Sequence, residues 1–229
     1  MEEKVQKYAI IVAGGRGQRM GTFIPKQFLL LDGKPVLMKT MEAFYDFDNE
    51  ISLVLVLPED QQEFWEDLCR LHKFQLPYRI VPGGSTRFDS VKNGLSEVGD
   101  TGLIAIHDGV RPLVSSLIIK RCFDAASIFG AVVPVTGVIE SIRKVEGDSS
   151  MAVSREDFWL VQTPQVFEAD LIKNAYEAAI GKDFTDDATV AEQSGIKIRL
   201  VEGAHENIKI TTPLDLILAE AYIKHTKKV

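Results

Sequence analysis

The sequence predicts an α/β fold in which helices cover both faces of a mainly parallel sheet. Along the 229 residues, short apolar runs rich in β-branched side chains alternate with segments of helical periodicity. Runs such as 52–57 are apolar at consecutive positions, which is typical of parallel strands that are buried on both faces. The repeated order of strand and helix indicates right-handed βαβ crossovers.

Six strands and four helices follow from these patterns. The strands are predicted at 8–12, 51–57, 78–81, 103–107, 131–135 and 198–201. The helices are recognised by their apolar stripes: Leu37, Met41, Phe44 and Tyr45 in the first; Phe64, Leu68 and Leu71 in the second; Phe88, Val91 and Leu95 in the third; Leu214, Ile217, Leu218 and Ala221 in the last. Thr212 and Pro213 are the predicted N-cap and first residue of the last helix.

One segment departs from this alternation. Residues 137–154 read as two extended stretches around a turn-rich Glu-Gly-Asp-Ser-Ser, which predicts an antiparallel hairpin that projects from the sheet. Because two strands alone are marginally stable in water, we expect this β-arm, at about 137–157, to build a homodimer. A hairpin folded back on its own domain is the alternative. The domain prediction is a single unit, 1–229, with the arm as its appendage.

Composition limits the possible functions. Hydrophobic residues at 45% and charged residues at 26% are ordinary for a globular chain and exclude disorder or a fibre. The net charge of −7 argues against nucleic acid and anionic membranes as partners, so any bound anion requires a local cluster of cations. Two cysteines in helical segments and the lack of a signal-type apolar segment predict a cytoplasmic protein with reduced thiols.

A glycine-rich loop follows the first strand. Residues 13–21 read Ala-Gly-Gly-Arg-Gly-Gln-Arg-Met-Gly, and no acidic residue lies between Ala9 and Leu31, whereas Arg16, Arg19 and Lys26 do. This composition predicts a phosphate cradle, with a solvated basic turn as the alternative. The glycine spacing does not supply the lysine of a P-loop. Met20 and the following Pro25 also break the dinucleotide-binding pattern, which argues against an NAD-type oxidoreductase.

Two further loops carry candidate chemistry. Residues 83–91 contain paired glycines followed by the start of a helix. The free N–H groups of that helix start could bind a base or a sugar. A loop that only connects strand and helix is the alternative. At 106–112 an apolar strand leads into Asp108 and Arg111, which places a carboxylate at the ligand-binding edge of the sheet. A carboxylate beside phosphates suggests Mg²⁺, although Asp108 could instead merely pair with Arg111.

Six motifs together resemble one enzyme family. They are Ala13-Gly14-Gly15-x-Gly17-x-Arg19-Met20 with Pro25-Lys26-Gln27, Gly83-Gly84-x-x-Arg87-x-x-Ser90-Val91, His107-Asp108-x-x-Arg111-Pro112, Thr163-Pro164-Gln165, Thr185-Asp186-Asp187-Ala188 and Asn207-Ile208-Lys209-Ile210-Thr211. In this order they resemble the 2-C-methyl-D-erythritol 4-phosphate cytidylyltransferases. The resemblance implies a Rossmann-like, homodimeric nucleotidyltransferase of non-mevalonate isoprenoid biosynthesis that uses CTP and Mg²⁺ and releases pyrophosphate.

The resemblance also implies residue roles. The CTP-binding residues would be Ala13, Gly14, Gly15, Arg16, Gly17, Gly84, Arg87, Ser90 and Gly109. The catalytic residues would be Arg19, Lys26, Arg155 and Lys209, with Arg155 reaching across the dimer from the arm. The polyol phosphate would be oriented by Asp108, Arg111, Arg155, Thr163, Thr185 and Lys209, and Asp108 would be the metal ligand.

One departure from the family pattern keeps alternatives open. Where the family usually has a threonine in the arm, this chain has Val138, so a substrate-contacting hydroxyl is missing there; Thr136 or Ser141 could compensate. A ribitol-5-phosphate cytidylyltransferase, which shares the motifs, is therefore the alternative enzyme. A catalytically silent nucleotide-binding regulator is the alternative from another class, and retention of Lys26 and Lys209 argues against it.

Overall fold

A mixed sheet lies at the centre of the computed structural model, which describes residues 5–14 and 24–226. Within these residues the strands are β1 (Lys7–Val12), β2 (Leu30–Leu31), β3 (Lys34–Pro35), β4 (Ser52–Leu57), β5 (Arg79–Pro82), β6 (Leu103–Asp108), β7 (Ala131–Gly137), β8 (Ile142–Glu146), β9 (Ser149–Val153), β10 (Trp159–Val161), β11 (Gln165–Glu168) and β12 (Arg199–Glu202). The helices are α1 (Val36–Phe47), α2 (Glu59–His72), α3 (Arg87–Leu95), α4 (Ser116–Phe129), α5 (Ala169–Ala178), α6 (Asp187–Gln193) and α7 (Pro213–Thr226).

The sheet has the strand order β10-β7-β11-β6-β1-β4-β5, and β12 also pairs with β7. The pairs β6-β1, β1-β4, β4-β5 and β12-β7 are parallel, whereas β11 and β10 run antiparallel to their neighbours. All six predicted strands are therefore present and mutually parallel where they pair, which confirms the α/β prediction. The two antiparallel strands of this sheet, β10 and β11, were not predicted.

Alternate residues of the central strands supply two cores, one on each face. Ala9 and Ile11 pack with α1, α2 and α4, while Ile10 packs on the opposite face with α3, α5 and α6. All three side chains are fully buried. This two-sided burial explains why the strand sequences are apolar at consecutive positions.

The predicted buried face of α2 is wrong in part: Leu68 packs against the core, but Phe64 and Leu71 do not lie on the buried face. Phe64 and Leu71 are 41% and 74% exposed, whereas Trp65 is fully buried and Gln61 lies beside it on the same face. Neighbouring residues of a helix differ by about 100° in direction, so exchanging Phe64 for Trp65 rotates the stripe to the next face. Trp65 also donates from Nε1 to the Tyr78 hydroxyl over 2.9 Å, which fixes this orientation.

The predicted buried face of α7 is also wrong. Leu214, Ile217 and Leu218 are 62%, 64% and 44% exposed, whereas Ala219 is fully buried against the cluster that contains Val110. The helix is apolar on both sides, so periodicity alone could not distinguish the packed side from the exposed one. The predicted cap is confirmed, since Thr212 Oγ1 accepts from the backbone N–H of Asp215.

The predicted hairpin is confirmed as β8 and β9, joined by a two-residue turn at Gly147 and Asp148. Its register pairs Ile142 with Val153 and Glu146 with Ser149. No pairing joins this hairpin to the main sheet among the described residues.

Candidate active site

The candidate site lies at the carboxyl edge of the central parallel strands. Ala13 and Gly14 follow β1, Gly84 follows β5, and Asp108 is the last residue of β6. Because Val12 and Asp108 are register partners in neighbouring strands, the glycine-rich segment and the carboxylate start side by side. The predicted grouping of these loops is therefore present, as expected for an open α/β sheet.

A first cavity of about 240 Å³ opens at this edge. It is lined by Val12, Ala13, Gly14, Lys26, Gln27, Gly84, Ser85, Thr86, Arg87, Ser90, Asp108, Val110 and Lys209. These residues come from five separate segments of the chain. They include Lys26 and Lys209, which stand 183 positions apart in the sequence and share one cavity wall.

A second cavity of about 270 Å³ adjoins the first. It is lined by Arg87, Asp108, Arg111, Val161, Gln162, Thr163, Gln165, Thr185, Asp186 and Lys209. Arg87, Asp108 and Lys209 line both cavities and so form their common wall. A larger groove of about 590 Å³ lies near Tyr8 and Arg79, and none of the predicted site residues lines it.

Asp108 is held between two cations in the common wall. Its Oδ2 lies 3.1 Å from Lys209 Nζ and 3.1 Å from Arg111 Nε. Burial raises the pKa of Asp108, but Lys209 and Arg111 lower that pKa more, so it lies well below its ordinary value and the carboxylate is ionised. The simple Asp108–Arg111 pair considered from the sequence is therefore present, extended by Lys209.

Positive charge predominates around the two cavities. Among the described lining residues there are four cations, Lys26, Arg87, Arg111 and Lys209, and two carboxylates, Asp108 and Asp186. The whole chain carries −7. The cations are thus concentrated where the sequence predicted an anion site.

Ser90 supports the loop that carries Gly84. Its hydroxyl accepts from the Gly84 N–H over 3.0 Å and donates to the Thr86 carbonyl over 2.9 Å. Gly84 has no room for a side chain, because an added Cβ would lie 2.2 Å from Asp89 Cβ. Ser90 therefore lines the first cavity and also holds the Gly84 loop in place.

Gln27 is a site residue that the motif contained but that received no predicted role. Its Nε2 donates to the Ala13 carbonyl over 3.0 Å and to Gln61 Oε1 over 2.6 Å. Gln27 is 1% exposed. It fastens the short helical turn Lys26–Phe28 to the end of β1.

Thr163 contacts both the backbone of Asp108 and the ring of His107. The Thr163 hydroxyl accepts from the backbone N–H of Asp108 over 3.1 Å and lies 3.0 Å from His107 Nδ1. His107 Nε2 lies 3.2 Å from the Arg111 carbonyl, which can only accept, so the ring proton is assigned to Nε2 and the Thr163 hydroxyl donates to Nδ1. Burial lowers the pKa of His107 to about 4, which keeps the ring neutral at pH 7.

Other predicted residues lie elsewhere. Gly109 lines neither cavity; its N–H donates to the Val12 carbonyl and an added Cβ would come within 3.0 Å of Ala13 Cβ. Arg155 also lines neither cavity, and its guanidinium donates to the Ile139 carbonyl at the base of the arm. The predicted residues Gly15, Arg16, Gly17 and Arg19 lie outside the described residues.

The carboxylate of Asp108 fits a magnesium ion that would take its other ligands from substrate and water. Among residues 5–14 and 24–226, no cluster of three or more His, Cys, Asp or Glu side chains could hold a metal ion alone. Asp108 is the carboxylate common to both cavities. Mg²⁺ commonly takes one or two carboxylates and completes its ligands with water and substrate phosphates, so Asp108 fits that role.

Within the described part of the chain, no helix is both long and apolar enough to cross a membrane. Cys69 and Cys122 are both free thiols.

Comparisons with known proteins identify the family of the chain. The family model of 2-C-methyl-D-erythritol 4-phosphate cytidylyltransferase matches residues 7–225. The protein of that name from Bacteroides fragilis is 55% identical over 215 residues, which cover 94% of this chain and 98% of the relative. The one from Phocaeicola vulgatus is 52% identical over 219 residues, which cover 96% of this chain and 100% of the relative.

Solved structures show the same likeness. The 2-C-methyl-D-erythritol 4-phosphate cytidylyltransferase of Thermus thermophilus superimposes with a TM-score of 0.80 at 33% identity, covering 96% of this chain and 99% of that one. The 4-diphosphocytidyl-2C-methyl-D-erythritol synthase of Anaerococcus prevotii superimposes with a TM-score of 0.82 at 30% identity, covering 96% of both chains. The chain therefore belongs to the 2-C-methyl-D-erythritol 4-phosphate cytidylyltransferase family.

Proposed function

We propose that this chain joins CTP to 2-C-methyl-D-erythritol 4-phosphate, giving 4-diphosphocytidyl-2-C-methyl-D-erythritol and pyrophosphate. Family membership supports the reaction. The observation that carries the proposal is the pair of adjoining cavities whose common wall contains Arg87, Asp108 and Lys209. Two ligands bound in adjoining cavities meet at that wall, as a transfer between them requires.

The cations of the site offset the electrostatic repulsion between the two substrates. At neutral pH, CTP carries about four negative charges and a phosphomonoester nearly two, so the two substrates repel each other. Lys26 and Lys209 line the cavity we assign to CTP, and Arg111 lines the cavity we assign to the polyol phosphate. Preorganised positive charge stabilises the transition state without costing reorganisation during the reaction.

The chemical step needs no covalent enzyme intermediate. An ionised oxygen of the phosphomonoester attacks the α-phosphorus of CTP. The bond between that phosphorus and the oxygen that bridges the α- and β-phosphates breaks, and pyrophosphate leaves with the electron pair. Because the attacking oxygen is already deprotonated, no general base is required. We assign orientation of the polyol phosphate to Arg111, Thr185 and Lys209, and charge stabilisation to Lys26, Lys209 and Arg19.

Magnesium belongs to this proposal through Asp108. When bound, the ion would neutralise part of the triphosphate charge and draw electron density from the reacting phosphorus. Asp108 would hold it, and Lys209 and Arg111 would keep that carboxylate ionised.

We also propose a homodimer built through the β-arm, in which Arg155 reaches the partner's polyol-phosphate cavity. Arg155 lines neither cavity of its own chain, which supports a role in the partner. Exposed apolar side chains on the arm, on β10 and between the two support the interface; they are Ile139, Val145, Met151, Phe158, Trp159, Leu160 and Val161. The free thiols support a reducing, cytoplasmic location, and we treat 1–229 as one nucleotidyltransferase domain.

Because Val138 stands where the family usually has a threonine, the identity of the polyol phosphate is what must be tested. Thr136 is buried in β7 and Ser141 is exposed before β8, so Ser141 has the freer hydroxyl of the two. The experiment offers CTP, UTP, ATP and GTP separately with methylerythritol, ribitol and hexose phosphates, and measures pyrophosphate release. We expect release with CTP and 2-C-methyl-D-erythritol 4-phosphate. Release only with ribitol 5-phosphate, or CTP binding without any product, would overturn the proposal.

A further inference from the structure

Arg87 is held in the common wall by a buried carboxylate from another helix. Its Nη1 and Nη2 donate to Asp187 Oδ1 and Oδ2 over 2.8 and 2.6 Å. The Arg87 side chain is 25% exposed, whereas the Asp187 side chain is fully buried. The pair thus has one member inside the protein and one member at the surface of the cavities.

Tyr176 fixes the buried end of this pair. Its hydroxyl donates to Asp187 Oδ1 over 2.6 Å, and its ring stacks on Phe88 with centroids 4.7 Å apart and planes at 14°. Burial raises the pKa of Tyr176, so the phenol keeps the proton that it donates. Residues of α3, α5 and α6 are therefore locked together around one guanidinium.

Within the described residues, this arrangement leaves three of the five guanidinium N–H donors without a protein acceptor. A guanidinium has five N–H donors, and Asp187 accepts from two of them. Within the described residues, no other hydrogen bond from Arg87 to a protein group is present. Three donors thus remain on a side chain that lines both cavities.

Stability alone does not account for this arrangement. A buried ion pair gains little over well-packed apolar residues of the same volume, because desolvation of both charges offsets their attraction. A flexible arginine on a cavity wall would also lose side-chain entropy on binding an anion. A carboxylate that orders the side chain beforehand removes that loss.

We infer that Asp187 and Tyr176 are positioning residues for the transfer reaction: they hold Arg87 so that one guanidinium contacts ligands in both cavities. This inference rests on the proposed function for the identity of the two ligands. Helices α5 and α6 then contribute to the reaction, although Tyr176 acts on the substrates only through Asp187 and Arg87.

The test uses the full chain and a double-mutant cycle. Tyr176→Phe and Arg87→Lys are made singly and together, and the Kd for CTP is measured by calorimetry and the KM for the polyol phosphate by pyrophosphate release. Loss of a hydrogen bond to a charged group predicts that Tyr176→Phe raises both constants by about tenfold. In the Arg87→Lys background the same change should add less than about twofold, because the two residues act as one unit. Asp187→Asn should raise both constants further, and Tyr176→Phe carries the test if that variant does not fold.

Tyr78→Phe is the matched control. Its hydroxyl accepts from Trp65 Nε1 over 2.9 Å, so the variant also removes a partly buried hydrogen bond, but away from both cavities. We expect this variant to leave both constants unchanged.

Two results would overturn the inference: a Tyr176→Phe variant with a lower melting temperature and unchanged constants, or an equal effect in both backgrounds. A wild type that binds CTP and forms no product would refute the proposed function alone. The Kd values for CTP in the double-mutant cycle would still test the positioning role. A wild type that binds no CTP would overturn both.

Discussion

The sharpest structural prediction concerns the paired glycines after β5. In Gly84→Ala the new Cβ would lie 2.2 Å from Asp89 Cβ and 2.8 Å from the Asp89 backbone carbon, whereas ordinary contacts start at 3.4 Å. The start of α3 must therefore move by about 1 Å, since backbone cannot rotate away as a flexible side chain can. Overpacking of this kind costs roughly 1–3 kcal/mol.

This displacement falls on the wall of the first cavity. The same movement breaks the bond from the Gly84 N–H to the Ser90 hydroxyl. We expect the KM for CTP to rise by about one to two orders of magnitude, measured by pyrophosphate release at saturating polyol phosphate. Gly83→Ala is the matched control, because its Cβ would have its nearest neighbour at 3.4 Å. Equal KM values for the two alanine variants would show that the close approach of Gly84 to Asp89 does not control CTP binding.

Two further predictions concern pH and assembly. Because the pKa of His107 is about 4 in the folded protein and its ordinary value is 6.5, the unfolded chain binds the proton first. About 3 kcal/mol of stability is then present above pH 6.5 and lost as the pH falls toward 4. Urea unfolding should show this loss in wild type and in the exposed-site control His205→Gln, and a smaller loss in His107→Gln; identical pH profiles would contradict it. In the arm, Met151→Glu should convert the proposed dimer to monomer in sedimentation velocity, while Leu71→Glu, on exposed α2 surface, should not. A dimer that persists in Met151→Glu would count against the arm as the interface.

Much of the fold could be predicted because parallel strands buried on both faces have a strong sequence signature. Their carboxyl ends share one edge of the sheet, so Gly84 and Asp108 could be placed together without coordinates. The motif Pro25-Lys26-Gln27 was found, but the role of Gln27 depends on Gln61, which stands 34 positions later. A contact at that separation leaves no local pattern.

The failures have equally specific reasons. Strands β10 and β11 have three and four residues, too few for periodicity to reveal, yet β11 is inserted antiparallel between β6 and β7. Asp186 and Asp187 are adjacent in sequence but have different roles. Asp186 caps α6, and Asp187 binds Arg87. No local pattern shows that Asp187 pairs with a residue 100 positions earlier.

We propose that cations from distant parts of the chain act together on the two reacting phosphates, those of CTP and of the polyol phosphate. Pyrophosphate release from CTP and 2-C-methyl-D-erythritol 4-phosphate by Lys26→Ala and by Lys209→Ala tests it most directly, with the exposed Lys197→Ala as control. Loss of one preorganised donor predicts that kcat falls by about 10²-fold or more in each cavity variant and stays unchanged in the control. Near-normal kcat in folded Lys26→Ala or Lys209→Ala would show that these cations do not stabilise the transition state.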